Sequence, residues 1–316
     1  MSKTQYTYAV ARIRALEVSL FSASTIEQLI ACKDVESCLR FLQDKGWGGT
    51  DVPMDADAIL TREREKIWET MEEMHVDMDV FNVLSYTNWF HNLKAAVKEV
   101  CTGKSGANIF YEGTPIPKEE MLRIIKEKDY KALPENMQTA AEEAVEALLH
   151  SGDGQLCDII IDRATMEAIK EAGRASKDDI IRDYAESTVA VANIKIAVRA
   201  LKTAKSLEFM QRAMAPCDSL NVDGLARAAL AGMDSIIEYL NGNGYAAGAE
   251  ALKESPSAFE RWCDNQIIQT IKPQKTNPFS LGPLVAYVIA RENEIKTVRI
   301  ILTGKQNDFP DEAIRE

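Results

Sequence analysis

The amino-acid sequence predicts an all-α protein built from three homologous helical domains. Three observations carry that prediction. Two sequence patterns recur in the same order three times, at a period of about 100 residues. Apolar residues fall at helical spacing along the chain. No run of alternating apolar and polar residues bounded by turns, the mark of a half-buried strand, occurs.

The first candidate helix, Tyr6 to Phe21, places Val10, Ile13 and Leu16 on one face. The shorter pattern follows it. Glu36, Leu39, Leu42 and Gly46 fit [DE]-x2-[VLI]-x2-L-x3-G, and so do Glu142, Val145, Leu148 and Gly152, and Asp234, Ile237, Leu240 and Gly244. Such spacing with a trailing glycine describes a short amphipathic helix ending in a left-handed cap. The outer copies agree further, with Ser37, Phe41 and Trp47 matched by Ser235, Tyr239 and Tyr245.

The longer pattern, N-x4-V-[KR]-x3-T-[GA]-K, runs without a gap from Asn92 to Lys104, Asn193 to Lys205 and Asn293 to Lys305. It predicts three long helices. Ser176-Lys177-Asp178-Asp179 has the form of a capping box before the second, which should extend to about Lys205. Ser255-Pro256 predicts a cap followed by proline at the first helical position. Punctuation at Gly103–Pro117 and Ala215–Asp223 divides the chain into domains 1–110, 111–212 and 213–316.

Composition narrows the function classes. Of 316 residues 46% are hydrophobic, enough for a real core. Lys and Arg number 37 against 49 Asp and Glu, giving a net charge of −12 that repels nucleic acid and anionic lipid. No nucleic-acid partner and no direct lipid anchoring are expected. The polar start Met1–Tyr6 lacks the apolar core of a secretory signal. The most apolar stretch, Leu281–Ala290, is too short to span a bilayer and contains Gly282 and Pro283. The six cysteines form no CxxC pair and are expected to be reduced, mostly buried residues.

Catalytic patterns fail on their own mechanics. Thr102-Gly103-Lys104-Ser105 resembles the end of a P-loop, but Lys98 stands where the first glycine is needed to wrap phosphate. The related Thr303-Gly304-Lys305 has Arg299 in that place and Gln306 instead of Ser or Thr. A helix C-terminus, with Gly at the cap and Lys against the negative end of the dipole, explains both. His75, His91 and His150 have no metal-ligand spacing. No G-x-S-x-G occurs. Glu72-Glu73, Glu119-Glu120 and Asp178-Asp179 are expected to be solvated faces or first-turn charges. Asp153–Asp162 lacks the pattern of a calcium loop. No catalytic residue, cofactor or metal is assigned.

Cations recur on the three long helices: Lys94 and Lys98, Lys195 and Arg199, Lys296 and Arg299. Two accounts stand side by side. They serve capping and ion pairing within the helices, or they form a repeated basic lining that meets an acidic partner.

Three segments carry a family resemblance: Tyr8–Glu17, Asp158–Arg163, and the C-terminal run from Asn277-Pro278-Phe279 through Gly282–Tyr287 and Glu294–Lys305 to Ile314-Arg315-Glu316. Together they resemble the C subunit of archaeal and bacterial V-type ATPases, whose eukaryotic counterpart bears the letter d. Thr297 stands where the family usually has Asn, and Ile161-Asp162 replaces its mid-chain Leu-Asp. The resemblance implies three similar helical domains around a pseudo-three-fold axis, arranged as a funnel. It implies a non-catalytic, cytoplasmic part, peripheral to the membrane. Its expected partners are the D- and F-type central-stalk shaft subunits and the membrane proteolipid ring. The competing expectation is a soluble helical-repeat scaffold, against which a period near 100 residues argues, since solenoid repeats run to ~20–50 residues.

Overall fold

The computed structural model describes residues 5–104 and 109–315, and among these every regular element is a helix. Along the chain, α1 (Gln5–Leu16) buries Ala9, Val10 and Ile13. It stops at Leu16, short of the expected Phe21, where a 3-10 turn takes over. α2 (Ala23–Ile30) starts on Ser22, whose hydroxyl accepts from the Thr25 N–H, and α3 (Val35–Asp44) starts on Asp34, whose carboxylate accepts from Ser37. α4 (Ala56–Glu73) starts on Asp55 in the same way. Each such cap fills one of the donors that a helix start leaves open.

The next six helices are α5 (Asn82–Thr102), α6 (Lys118–Glu127), α7 (Glu135–Ser151), α8 (Gly154–Ala175), α9 (Asp179–Lys202) and α10 (Leu207–Ala213). After them come α11 (Val222–Ala231), α12 (Met233–Gly242), α13 (Ala246–Glu254), α14 (Pro256–Ile271), α15 (Gly282–Gln306) and α16 (Asp311–Arg315). Gly46, Gly152 and Gly244, the trailing residues of the shorter pattern, have φ of 84°, 66° and 84°. All three turn their helices off through the left-handed region that glycine enters freely.

Three further expectations need correction. Ser176 does not cap α9: its hydroxyl accepts the Asp178 N–H, and Asp178 itself is the N-cap residue. α9 ends at Lys202, not near Lys205. Gly304 is no helix end, because α15 continues to Gln306. Glycine is needed there for another reason: a Cβ would sit 2.7 Å from the Ile314 side chain of α16.

The chain forms two compact units. One takes the sequence up to Met78 and from Ile271 on, the other Asp79–Thr270. In the first, α15 packs on α1, α2, α3, α4 and α16, so both ends of the chain share one core. The second holds two apolar clusters. Phe90, Leu93, Met121, Ile124, Met137 and Ile161 centre the α5–α8 cluster. Ile194, Met210, Leu225, Leu240, Phe259 and Cys263 centre the α9–α14 cluster. α8 and α9 pack side by side between them. Leu281–Ala290 forms the largely buried start of α15, and no helix among the described residues is long and apolar enough to cross a membrane.

Candidate partner-binding site

The recurring cations stand on α5, α9 and α15, the helices that organise the cores. Their local geometry begins with the buried polar residue that opens each pattern. Asn92 donates to the Tyr111 carbonyl at 2.9 Å and accepts the Tyr111 N–H at 2.8 Å. Asn193 does the same to the backbone of Ala215, at 2.7 and 3.0 Å. A carboxamide offers both a donor and an acceptor, which matches one peptide group and pins the following loop to the helix.

The third copy shifts register by one residue. Asn293 is exposed. Glu294 is buried in its place and accepts the Phe21 N–H. Leu93, Ile194 and Ile295 are all fully buried, as are Ala96, Ala197 and Val298. In the ungapped sequence match those residues of the third copy fall one position out of step.

A carboxylate cannot donate, so Glu294 needs a cation. Arg291 pairs with it, and also with Glu63 at 2.6 Å. Glu63 accepts the Gly48 N–H at 2.8 Å and pairs with Lys66. The Arg291 guanidinium lies 5.3 Å from the Trp47 ring centre, and Trp47 stacks on Phe21 at 5.1 Å. Burial pushes the Glu294 carboxyl above its ordinary value despite the Phe21 N–H and Arg291.

A second polar knot lies in the other unit. Lys170 of α8 pairs with Glu186 of α9, and with Asp218 at 2.5 Å. Glu186 also accepts the N–H groups of Asp218 and Ser219 at 2.9 and 2.7 Å. Burial works against the charge of Lys170, but Asp218 and Glu186 outweigh it and its pKa is raised. Burial likewise opposes the Glu186 charge, yet Lys170 and the Ser219 and Asp218 donors hold its pKa below the ordinary value.

Four of the six predicted cations are ion-paired within their own units. Lys94 meets Asp162, and Lys98 meets Asp158 at 2.6 Å, so α8 answers α5 with an antiparallel ladder. Lys195 meets Glu260 of α14 at 2.5 Å. Arg299 meets Asp57 of α4 at 3.1 Å. Lys296 is exposed. Arg199 is exposed and makes no ion pair among the described residues. Surface pairs of this kind contribute ~0–1 kcal/mol each. Sequence reasoning misses the acidic partners, although Asp158 and Asp162 both lie in a segment that carries the family resemblance. One turn apart, they match the one-turn spacing of Lys94 and Lys98.

Elsewhere the structure offers little chemistry. At the Thr102-Gly103-Lys104 segment the Thr102 hydroxyl donates to the Lys98 carbonyl and the Gly103 N–H to the Glu99 carbonyl. Gly103 has a φ of 67°, so the segment is a helix C-terminus whose carbonyl end disfavours phosphate. Ser105 lies outside the described residues. Among those described, no group of three or more His, Cys, Asp or Glu is placed to hold a metal. An open groove of about 580 Å³ beside α7 and α8 is lined by Glu143, Glu167 and Glu171 and by Arg163 and Arg212.

Comparison with known proteins supplies the family. Residues 9–316 match the family described as ATP synthase (C/AC39) subunit. The C subunit of the V-type sodium ATPase of Enterococcus hirae is 24% identical, across 96% of this chain and 95% of that protein. The C subunit of the A-type ATP synthase of Methanocaldococcus jannaschii is 22% identical, across 98% and 85%. Its counterpart in Thermococcus gammatolerans is 24% identical, across 99% and 89%. The chain thus belongs to the ATP synthase (C/AC39) subunit family, as a non-catalytic subunit of a V/A-type rotary ATPase.

Proposed function

We propose that this chain is the rotor socket that joins the central stalk to the membrane proteolipid ring and passes torque between them during ATP-linked transport of H+ or Na+. The observation that carries the reading is the family match along nearly the whole chain, 9–316. Its shaft partners are subunits of the D and F type, and its place is on the cytoplasmic side, peripheral to the membrane. The chain is organised as three homologous domains, 1–110, 111–212 and 213–316, around a pseudo-three-fold axis with a funnel-shaped hollow. The repeated burial pattern on α5, α9 and α15 supports that organisation. Close-packed helices suit a part under load, because dense interiors transmit strain.

Within this reading, Lys94, Lys98, Lys195, Arg199, Lys296 and Arg299 are the contact set for an acidic partner. Arg199 is the member best placed to act, being exposed with no internal ion pair among the described residues. The ion-paired members would exchange a surface carboxylate for one on the partner, an exchange of low cost between weak pairs.

The test is co-elution. The purified chain, mixed with purified D- and F-type subunits, is expected to elute with them from a size-exclusion column. Arg199→Glu should weaken that complex roughly tenfold or more at low salt and less at high salt, where charges are screened. Separate elution of the wild-type chain from the shaft refutes the socket. Co-elution unaffected by Arg199→Glu refutes the assignment of that residue alone.

A further inference from the structure

The function leaves the turn between α2 and α3 unused, and two thiols meet there. The Cys32 thiol donates to the Gln28 carbonyl at 3.5 Å, and the Cys38 thiol to the Leu29 carbonyl at 3.6 Å. These are neighbouring carbonyls of one helical turn at the end of α2. Adjacent residues carry these two acceptors, so both sulfurs lie within one hydrogen bond of the same short stretch of backbone. Cys32 is half-buried, with the exposed Lys33 beside it, whereas Cys38 is fully buried. One sulfur is open to a reagent and the second lies beneath it. Sequence spacing alone gives no sign of this pair, because five residues separate the two cysteines.

We propose that Cys32 and Cys38 form a dithiol modification site that exchanges with small-molecule disulfides such as oxidised glutathione and closes to an intramolecular Cys32–Cys38 disulfide. In the first step the Cys32 thiolate attacks one sulfur of glutathione disulfide. A Cys32–glutathione bond forms, the glutathione S–S bond breaks, and one glutathione thiolate leaves. In the second step the Cys38 thiolate attacks Cys32 and expels the second glutathione thiolate. The two protons shed by the cysteines end on the two glutathiones. The protein is oxidised by two electrons and glutathione disulfide is reduced by two.

The groups around Cys38 set the pace of closure. Burial pushes the Cys38 thiol up to about 12, the Cys32 thiol and Asp34 act in the same direction, and Lys305 of α15 opposes them. The resolving thiolate is therefore scarce near neutral pH, and closure follows adduct formation slowly. The closed bond ties the end of α2 to the first turn of α3, two helices that pack on α15.

The intact chain, reduced and desalted, is incubated with glutathione disulfide at mildly alkaline pH, alkylated and mapped by mass spectrometry. The expected product is one peptide pair joined through Cys32 and Cys38, two hydrogen masses lighter than the separate peptides. Cys38→Ser should stop at a glutathione adduct on Cys32. Cys32→Ser, at the half-buried position, should leave residue 38 unmodified. The wild-type map is decisive even where Cys38→Ser does not fold. A wild-type map with only an adduct on Cys32, with a bridge between other cysteines, or with both thiols alkylated overturns the proposal.

Discussion

At the scale of single residues, the buried asparagines show how one side chain can satisfy both the donor and the acceptor of a peptide group. Asn193 and Ala215 are both fully buried, whereas Tyr111, the peptide held by Asn92, is 40% exposed. Water can therefore re-bond the Tyr111 peptide when its partner is lost, but not that of Ala215. Asn193→Ala is expected to cost about 2–5 kcal/mol and Asn92→Ala about 1–3, since each unsatisfied buried group costs about 1–3 kcal/mol. Urea unfolding of both variants checks the order. The asparagines are visible in the sequence as the first letter of a repeated pattern. Their work is not, because nothing local names a backbone partner some twenty residues away. The glutamate that takes over in the third copy stays hidden because the neighbouring Asn293 preserves the letter while the helix rotates it into solvent.

The Lys170 knot gives a residue-scale prediction about acid. Glu186 and Asp218 both have folded-state pKa values below their ordinary 4.5 and 3.8. Such groups add stability above the unfolded pKa, and lose it as pH falls through the lowered folded value. Wild-type stability should therefore decline from about pH 4.5 downward. In Glu186→Gln that decline should be shallower, from a lower starting stability at pH 7. Glu294 runs the other way: its raised pKa favours the fold at low pH and withdraws that support as pH rises through it. Thermal melts at intervals between pH 3 and 7 separate the two contributions.

At the scale of elements, the informative glycines lie at crossings and not only at helix ends. Gly173 sits in the last turns of α8, where a Cβ would come within 2.4 Å of the Ala185 Cβ of α9. A glycine in a helix interior is ordinarily worse than alanine by about 1 kcal/mol. Here the sign reverses, because α8 and α9 must move apart to admit a methyl group. Gly173→Ala is expected to destabilise by about 1–3 kcal/mol, in the range of overpacked cores, with a lower urea midpoint as the measure. Gly304 reads from the sequence as a cap because it follows threonine and precedes lysine, as Gly103 does. Only Gly103 ends its helix, since α16 returns to pack Ile314 over Gly304. A tertiary contact of that kind overrides a local signal and leaves no mark within its own window. The caps at Gly46, Gly152 and Gly244 are legible because a left-handed residue after a helix is a local requirement.

At the scale of the whole molecule, the all-helical class is legible from periodicity, whereas the closure of the chain's two ends into one unit is not. Periodicity reports which face of a helix is buried and says nothing of which helix covers it. The unit that runs up to Met78 and resumes at Ile271 depends on α15, whose Leu284, Val285, Val288, Ile295 and Val298 fill its core. A fragment of residues 1–78 has its apolar faces without that helix. It should show weak helicity by circular dichroism and no cooperative melt. Adding a 271–316 peptide should restore both, because the missing core residues arrive with it. The fragment 79–270 carries both apolar clusters of its unit and should melt cooperatively alone. Cooperative folding of 1–78 by itself would mean that α15 adds little to that core, contrary to its burial. Failure of 79–270 to fold would mean that its clusters draw their stability from the rest of the chain.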